Sequence, residues 1–262
     1  MSKTQISAVA ELRRRARELI IDMAATPTGC HLGGSLSVID ILLAAHLHFG
    51  NGPEHRIVLS KGHAAAALYA TLHLFGHIPN PVEHYGRAGS SLTGHPNQKV
   101  PGVPFATGSL GHGVALTLGW ALGQRLKGAR GVGVAIAGDG ELQEGLPWEA
   151  FQIAQAKGVG NFAVVVDVNG GQNDGAVTDI SPMPALTERL TAFGFAAVAC
   201  DGHDLAALQD TFGGHDFLGK RPLAILAKTV KGKGVPSLEG NPTSHYVVLQ
   251  PSQAAAWKRS LS

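Results

Sequence analysis

Residues 131–175 read GVGVAIAGDGELQEGLPWEAFQIAQAKGVGNFAVVVDVNGGQNDG. An apolar run over residues 132–137 breaks at Gly138-Asp139-Gly140, residues 148–151 follow with helical spacing, and a second β-rich run covers Phe162–Val168. This order of strand, turn, helix, strand and turn predicts a βαβ unit of a parallel sheet. Both turns are therefore expected at one edge of the sheet, where such folds bind ligands.

The two turns carry one acid and one amide, Asp139 and Asn169, thirty positions apart (169 − 139). Mg²⁺ takes oxygen ligands, and one or two protein carboxylates usually hold it while phosphates and waters complete the shell. The glycines allow the backbone to approach phosphates, and a helix beginning near Glu141 would point free N–H groups at them. The alternative is that Gly138-Asp139-Gly140 only caps a helix, but the second turn at this spacing favours a metal and diphosphate site.

The same stretch resembles the thiamine diphosphate motif of transketolases. The matching residues are Gly138-Asp139-Gly140-Glu141, Glu144-Gly145, Trp148-Glu149-Ala150, Asp167, Asn169, Gln172 and Gly175. The chain is most similar to the N-terminal subunit of transketolases split over two chains, over nearly its whole length. The resemblance implies that Asp139, Asn169 and the carbonyl of Gly171 bind Mg²⁺, or another divalent cation such as Ca²⁺ or Mn²⁺. It also implies cofactor contacts from Gly138, Asp139, Gly140, Glu141, Asn169 and Gly171.

Composition limits the remaining classes of protein. The chain has 262 residues, 44% of them hydrophobic, and a formal net charge of +2. This length, without a linker of low complexity or a repeat, predicts one domain over residues 1–262. The balanced charge argues against a nucleic acid partner.

The N-terminus has no apolar signal core, since Glu11 and the arginines of residues 13–17 follow almost at once. No apolar run is expected to reach the length that spans a membrane. Cys30 and Cys200 are too few for a disulfide framework and lack metal-site spacing, so both are expected as reduced thiols. A soluble, cytoplasmic protein is predicted.

Strands and helices alternate along the whole chain. Helices are predicted over residues 8–24, 64–75, 186–193 and 204–212. One further helix is predicted to end near residue 126, and another lies near the C-terminus. Further strands are predicted over residues 56–60, 195–200 and 223–229. This alternation predicts an α/β fold with a doubly wound, mostly parallel sheet and helices on both faces. The resemblance identifies it as the diphosphate-binding domain of the thiamine diphosphate-binding fold.

Four histidines lie in loops or after strands. His31 stands in a glycine-rich loop, from which Ser35 or Ser37 would cap the next helix. His63 follows a short strand and would lie at a helix N-terminus, where its ring can reach an anion. The resemblance assigns substrate binding to His31, His63, His95 and His245, with His63 also contacting the diphosphate. The family commonly has glycine where this chain has Cys30, and the surroundings of His245 match weakly.

The segment around residues 105–113 matches the family pattern in part. Gly108 and Leu110 are retained, and the resemblance implies that they contact the aminopyrimidine side of the cofactor. Ser109 and His112 depart from the family pattern Gly-Pro-Leu-Gly-Gln-Gly. After the last strand, the lysines of residues 228–235 are interpreted as a solvated loop by default, although the stretch resembles the family's segment leading to a substrate histidine, for which His245 is the candidate.

The resemblance implies a transketolase that moves a two-carbon ketol unit from a ketose or its phosphate to an aldose. Imidazole suits the proton transfers because it can donate and accept near pH 7. The glutamate that activates the cofactor, and the residues that bind sugar phosphate, lie in a second domain of the family. A partner chain with the pyrimidine-binding domain is therefore expected, with two copies of each chain. Glu144 and Glu149 would lie near the contact between subunits, or are surface charges.

Two other functions remain open. The diphosphate-binding subunit of a 2-oxo acid dehydrogenase or decarboxylase shares fold, metal and cofactor, but the histidine set and Lys228-Thr229 argue against it. A third interpretation is a non-catalytic assembly subunit. The presence of both Asp139 and Asn169 argues against it. A nicotinamide-binding domain is weaker still, because no Gly-x-Gly-x-x-Gly follows the first strand.

Overall fold

The computed structural model describes residues 3–50, 52, 54–241 and 244–261. Its described part contains one five-stranded sheet in the order β1-β2-β3-β5-β4, and all neighbouring strands are parallel. The strands are β1 Arg56–Leu59, β2 Gly133–Gly138, β3 Phe162–Val168, β4 Ala196–Asp201 and β5 Leu223–Lys228. The predicted parallel sheet is confirmed.

Helices cover both faces of the sheet, which confirms the predicted α/β class. They are α1 Lys3–Ala24, α2 Leu32–Phe49, α3 Ala65–Leu74, α4 His112–Leu126, α5 Gly145–Ala156, α6 Val177–Ile180, α7 Leu186–Ala192, α8 Leu205–Gly213 and α9 Pro251–Ser260. Consecutive side chains of a strand point to opposite faces. Val134 and Ile136 of β2 therefore join the core formed with α1, α2 and α3. Ala135 and Ala137 join the second core, formed with α4 and α5.

The helix α2 is the most deeply buried helix of the first core. It is 18 residues long and, by length and composition alone, apolar enough to cross a membrane. The expectation that no apolar segment reaches that length was therefore wrong. However, 89% of this segment is buried inside the fold, which is typical of a core helix packed against other helices.

Three predicted helix starts differ from the structure. α1 begins at Lys3 rather than near residue 8. α2 begins directly after His31, so Ser35 and Ser37 lie inside the helix and do not cap it. Ser35 Oγ donates instead to the His31 carbonyl, and Ser37 Oγ donates to a buried carboxylate.

The third difference concerns the helix expected near Glu141. Residues Gly140–Gln143 form a single 3₁₀ turn, and α5 begins at Gly145. Glu141 turns back toward β2, while Pro147 occupies the first turn of α5, where its missing N–H costs no hydrogen bond. In a similar way, His63 lies in the 3₁₀ turn Gly62–Ala64 just before α3.

Candidate functional site

The candidate site lies at the carboxyl edge of the sheet. Asp139 follows β2 and Asn169 follows β3, and these two strands are adjacent and parallel. The two predicted turns therefore emerge side by side, as expected for ligand sites of parallel sheets. Loops after β1 and β5 border the same place and contribute Lys61 and Lys231.

The carboxylate of Asp139 is held by backbone amides. Its Oδ1 accepts a hydrogen bond from Gly140 N at 2.9 Å, and its Oδ2 accepts one from Gly170 N at 2.7 Å. The second bond joins the β2 turn to the β3 turn. Burial, followed by the nearby charge of Asp167, raises the pKa of Asp139 to about 6. A cation bound here would offset both effects.

The neighbours of Asn169 determine which way its amide faces. Nδ2 donates to Ser37 Oγ at 3.0 Å and to Asp167 Oδ2 at 3.2 Å, while Oδ1 accepts from Gly171 N at 2.9 Å. The Asp167 carboxylate can only accept a hydrogen bond and the Gly171 N–H can only donate one. In the reverse orientation, the amide oxygen would face the carboxylate and the amide nitrogen would face the N–H, so neither bond could form. The amide oxygen is thereby presented on the side of Gly171, as a metal ligand would need.

Asp167 forms the floor beneath this turn. It is fully buried and accepts hydrogen bonds from the hydroxyls of Ser37 and Thr229. Lys61 Nζ lies 2.5 Å from its Oδ2, in an ion pair whose side chains are 3% and 0% exposed. The loops after β1, β3 and β5 and the helix α2 all bond to this carboxylate, which restricts the position of the Asn169 side chain.

Glu141 was predicted as a cofactor contact, and the structure places it in the site wall. Its Oε1 accepts hydrogen bonds from Ser60 Oγ at 2.5 Å and Gly111 N at 2.7 Å, and its Oε2 accepts one from Gly138 N at 3.1 Å. Burial raises the pKa of this carboxyl group. With both oxygens bonded to the protein, Glu141 shapes the site by connecting three loops.

All predicted site residues border one cavity of about 280 Å³. Its lining consists of His31, Gly34, Lys61, His63, His95, Gly108, Leu110, Gly138, Asp139, Gly140, Glu141, Asn169, Gly171, Gln172, Asn173, Lys231 and His245. The roles of the individual residues stay predictions, but their convergence from six loops is a property of the fold.

The four histidines form a cluster in the lining of the cavity. The ring centroid of His31 lies 4.9 Å from that of His245, 5.5 Å from that of His63 and 5.8 Å from that of His95. A short antiparallel bridge between Cys30 and Val247 brings His245 beside His31. The two histidines are more than 200 positions apart in the sequence, so only the fold shows that they are neighbours.

The histidines of this cluster are neutral at pH 7. Burial, followed by repulsion from His245 and His95 when these are protonated, lowers the pKa of His31 to about 4. Burial lowers the pKa of His63 well below its usual value, and the charge of Lys61 adds to the effect. Burial also lowers the pKa of His95 and His245. A neutral imidazole offers one donor and one acceptor, which suits hydroxyl groups of a ligand.

The lining fits a diphosphate with a divalent cation. His31 Nδ1 and Gln172 Nε2 are buried polar atoms without a hydrogen-bond partner in the described structure, and such atoms are rare unless a ligand or water satisfies them. In the β3 turn, Gly171 has no room for a side chain, because an added Cβ would lie 2.9 Å from Lys231 Cδ. The backbone of this turn is therefore not covered by a side chain of its own at Gly171. One carboxylate, one amide oxygen and one carbonyl oxygen suit Mg²⁺.

Some residues of the site were missed at the sequence level. Lys231 is 3% exposed and its Nζ donates to the Gln172 carbonyl at 3.1 Å, so the interpretation of this lysine as solvated was wrong. Lys61, in the turn after β1, was not among the predicted site residues. Both lysines lie within three residues of the end of a parallel strand. That position in the sequence could have indicated that they reach the ligand-binding edge of the sheet.

Other residues singled out from the sequence lie outside the cavity. Ser109 and His112 are exposed, and His112 borders a separate apolar groove. Glu144 and Glu149 are also exposed. Cys30 and Cys200 are free thiols, as predicted.

Within the described residues, no group of three or more His, Cys, Asp or Glu side chains is arranged to hold a metal ion. A site assembled from protein side chains alone, as for structural zinc, is therefore not found there. A metal ion at Asp139 and Asn169 would be a different kind of site, because it would need further oxygen ligands from a bound phosphate group.

Comparison with known proteins agrees with this geometry. Residues 10–262 match the family described as transketolase, thiamine diphosphate binding domain. One subunit of the apulose-4-phosphate transketolase of Actinobacillus succinogenes is 34% identical over 252 residues, which cover 91% of this chain and 91% of that protein. The 6-deoxy-6-sulfo-D-fructose transketolase subunit SqwG of a Clostridium species is 33% identical, with coverage of 88% and 87%.

Solved structures show the same fold. The transketolase of Campylobacter jejuni superposes with a TM-score of 0.84 at 30% identity, covering 100% of this chain and 46% of that one. The transketolase of Leishmania mexicana gives a TM-score of 0.84 at 24% identity, covering 96% of this chain and 41% of that one. The chain spans less than half the length of these solved structures.

Proposed function

Because this chain belongs to the transketolase family, as its thiamine diphosphate-binding domain, we propose that it is the cofactor- and metal-binding subunit of a transketolase built from two different chains. The observation that carries the proposal is the cavity that Asp139, Asn169 and Gly171 line together with a cluster of four histidines. Relatives that match over nearly their whole length are themselves named as one subunit of a transketolase, which supports the division.

In this proposal Mg²⁺, or Ca²⁺ or Mn²⁺ in its place, binds Asp139, Asn169 Oδ1 and the Gly171 carbonyl. Asp139 supplies the one carboxylate, so it must be deprotonated for the ion to bind. Gly138 and Gly140 of the β2 turn line the cavity and would allow a diphosphate to approach the backbone, where it would supply the remaining negative charge. Lys61 and Lys231 place positive charge beside it.

Thiamine diphosphate, when bound, supplies the carbanion and the electron sink that cleavage of a carbon–carbon bond beside a carbonyl requires. The chain has to hold the cofactor, orient the sugar and move protons. His31, His63, His95 and His245 donate to and accept from the substrate hydroxyls, because they are neutral and lie together. The same donors stabilise negative charge on the substrate oxygen.

The proposed partner supplies what the described residues of this chain lack. Activation of the aminopyrimidine requires a carboxylic acid against its ring nitrogen, in an apolar pocket. Both oxygens of Glu141 are bonded within the protein, and Glu144 and Glu149 are exposed. A second chain with a pyrimidine-binding domain would bring the acid from the open side of the cavity.

An apolar groove beside the cavity is the surface on which we place this partner. It is lined by Phe105, His112, Ala115, Leu116, Gly119, Trp120 and Leu146. Leu146 also lies against the Gly111 turn, which directly follows a cavity-lining residue. The groove is therefore continuous with the half of the site that a partner must complete, and an assembly with two copies of each chain follows from the proposal.

The substrate class follows from the same reasoning. The relatives are named for a ketose phosphate, apulose-4-phosphate, and for a sulfonated ketose. We propose a ketose or ketose phosphate as donor and an aldose as acceptor. The proposal treats residues 1–262 as one domain, which the single sheet supports, and places the enzyme in the cytoplasm, in keeping with its free thiols.

Reconstitution tests the proposal. The chain is mixed with a candidate partner carrying the pyrimidine-binding domain, thiamine diphosphate and Mg²⁺, and ketol transfer from a ketose phosphate is followed. We expect turnover by the mixture and none by either chain alone. Turnover by this chain alone would contradict the divided site, and turnover of 2-oxo acids instead of ketose phosphates would contradict the proposed reaction.

A further inference from the structure

A buried charged cluster lies behind the site, where α1, α2 and the turn after β4 meet. Asp40 on α2 is fully buried. Arg13 Nε and Arg17 donate to its two oxygens, at 2.8 Å and 2.6 Å respectively. His203 Nδ1 lies 2.8 Å from Asp40 Oδ2. A buried carboxylate with this many donors has little freedom to move.

The second nitrogen of His203 connects this cluster to another loop. Val230 N donates to His203 Nε2 at 2.9 Å. A backbone N–H can only donate, so Nε2 carries no proton and Nδ1–H donates to Asp40. His203 is therefore a neutral bridge, with each ring nitrogen bonded to a different element.

The loop bonded by His203 is the one that enters the cavity from β5. Thr229, directly before Val230, donates to Asp167, and Lys231, directly after it, lines the cavity and reaches the Gln172 carbonyl. Arg17 Nε makes a further bond to the Lys233 carbonyl at 3.3 Å. The cluster thus holds this loop on both sides of Lys231.

We propose that His203 is a positioning residue for the metal and cofactor site. Its bond to Val230 N holds the Thr229–Lys231 segment against Asp167 and the β3 turn, and so fixes Asn169 and Gly171 in the geometry that the ion requires. The inference rests on the proposed function, because it concerns binding at the same site. Groups that orient metal ligands without touching the ion commonly change metal affinity by about 10- to 100-fold.

Two substitutions separate the two hydrogen bonds of His203. In His203→Asn the side-chain amide nitrogen takes the place of Nδ1 and keeps the bond to Asp40, but the side chain is too short to reach Val230. In His203→Gln the amide oxygen takes the place of Nε2 and can accept from Val230. The matched control is His215→Asn, since His215 is half-buried and lies outside the site, with its ring against Phe217.

Binding of Mn²⁺ together with thiamine diphosphate is measured by calorimetry on the assembled enzyme, and amide hydrogen exchange is followed over residues 229–233. We expect His203→Asn to bind about tenfold more weakly, with faster exchange at Val230 and a melting temperature close to wild type. His203→Gln and His215→Asn should bind as wild type does.

The proposal is overturned if His203→Asn binds and exchanges like the wild type, or if His203→Gln loses as much affinity as His203→Asn. Absence of binding by the wild-type assembly is a different result, because it contradicts the proposed function rather than the role of His203. The two failures are therefore distinguishable in one series of measurements.

Discussion

At the scale of single residues, two carboxylates at the site differ in what surrounds them. The carboxylate of Asp167 is paired with Lys61 and accepts hydrogen bonds from Ser37, Thr229 and Asn169, so its partners all come from the protein. Asp139 is bonded by two backbone amides, and burial raises its pKa to about 6. In the proposed metal site, Asp139 would therefore be the carboxylate that binds the cation, and Asp167 would support the residues around it.

We expect Asp139→Asn to weaken Mn²⁺ binding in the presence of thiamine diphosphate by at least about 100-fold, or about 2.8 kcal/mol. The reason is loss of the one carboxylate assigned to the ion. Asp174→Asn, an exposed position in the loop after β3, is the control and should bind normally. Equal calorimetric affinity for both variants would show that the metal site has been misassigned.

The histidine cluster leads to a second expectation at this scale. His31→Ala, His95→Ala and His245→Ala should each lower kcat by about 10²- to 10⁴-fold, the usual range for loss of a positioned acid or base. Their melting temperatures should change little, because all three side chains border the cavity and His31 Nδ1 has no hydrogen-bond partner to lose. His84→Ala, at an exposed position, should keep full activity. Large losses of stability with intact turnover would show that the cluster is structural.

At the scale of elements, α1 and α2 are joined by a charged contact inside an apolar core. Burial by itself would raise the pKa of Asp40, but the His203 hydrogen bond and the charge of Arg17 outweigh it and hold the pKa below its usual range. The carboxylate therefore stays charged in the folded protein. Its contribution to stability is present above about pH 4, the unfolded pKa, and is lost only at more acidic pH.

We expect Arg17→Met to destabilise the fold by about 3 kcal/mol or more, because it leaves a buried carboxylate short of one partner. Arg14→Met is the control on the same helix, since Arg14 pairs with Glu11 and Glu18 at the surface and should change stability little. Urea unfolding of both variants at pH 7 measures the difference. Equal midpoints for the two would contradict a structural role of the buried pair.

Most strands and helices could be predicted because their signals are local. β3 has the bounds that its apolar run predicts, and α4 ends at Leu126 as expected. The start of α5 was wrong because Glu141 bonds to Ser60, 81 positions away. The Lys61–Asp167 pair was missed for the same reason, since 106 positions separate its members. Asp139 and Asn169 could be predicted from the sequence because each directly follows a strand.

At the scale of the whole molecule, buried neutral histidines make the fold sensitive to mild acid. Burial lowers the pKa of His46 to about 4. The unfolded chain, with an ordinary histidine pKa of about 6.5, takes up this proton first. Stability therefore falls as pH decreases from 6.5 toward 4, by roughly 3 kcal/mol for this one residue at about 1.4 kcal/mol per pH unit.

We expect the urea midpoint of the wild type to fall steadily between pH 7 and pH 5, and that of His46→Gln to fall less steeply. The exposed position His84 provides the control, because His84→Gln should keep the wild-type slope. Parallel pH profiles for the wild type and His46→Gln would contradict the assignment.

Assembly is the other property of the whole molecule. Leu116 is 40% exposed in the apolar groove, while Leu126 is 81% exposed at the end of the same helix and outside it. We expect Leu116→Asp to weaken association with the partner chain, measured by sedimentation, without changing the melting temperature of this chain. Leu126→Asp should associate normally. Equal association of the two variants would place the partner elsewhere.

The burial of α2 has a consequence for how the protein is made. Leu32–Phe49 leaves the ribosome early, yet the helix packs against α8, and its Asp40 bonds to His203. His203 is synthesised 163 positions after Asp40. During translation, α1 and α3 are available to pack against this apolar segment early, but its contacts with α8 and the bond to His203 form only after β4 has been made. Truncated chains ending before β4 should consequently aggregate or be degraded, however well their first strands pair.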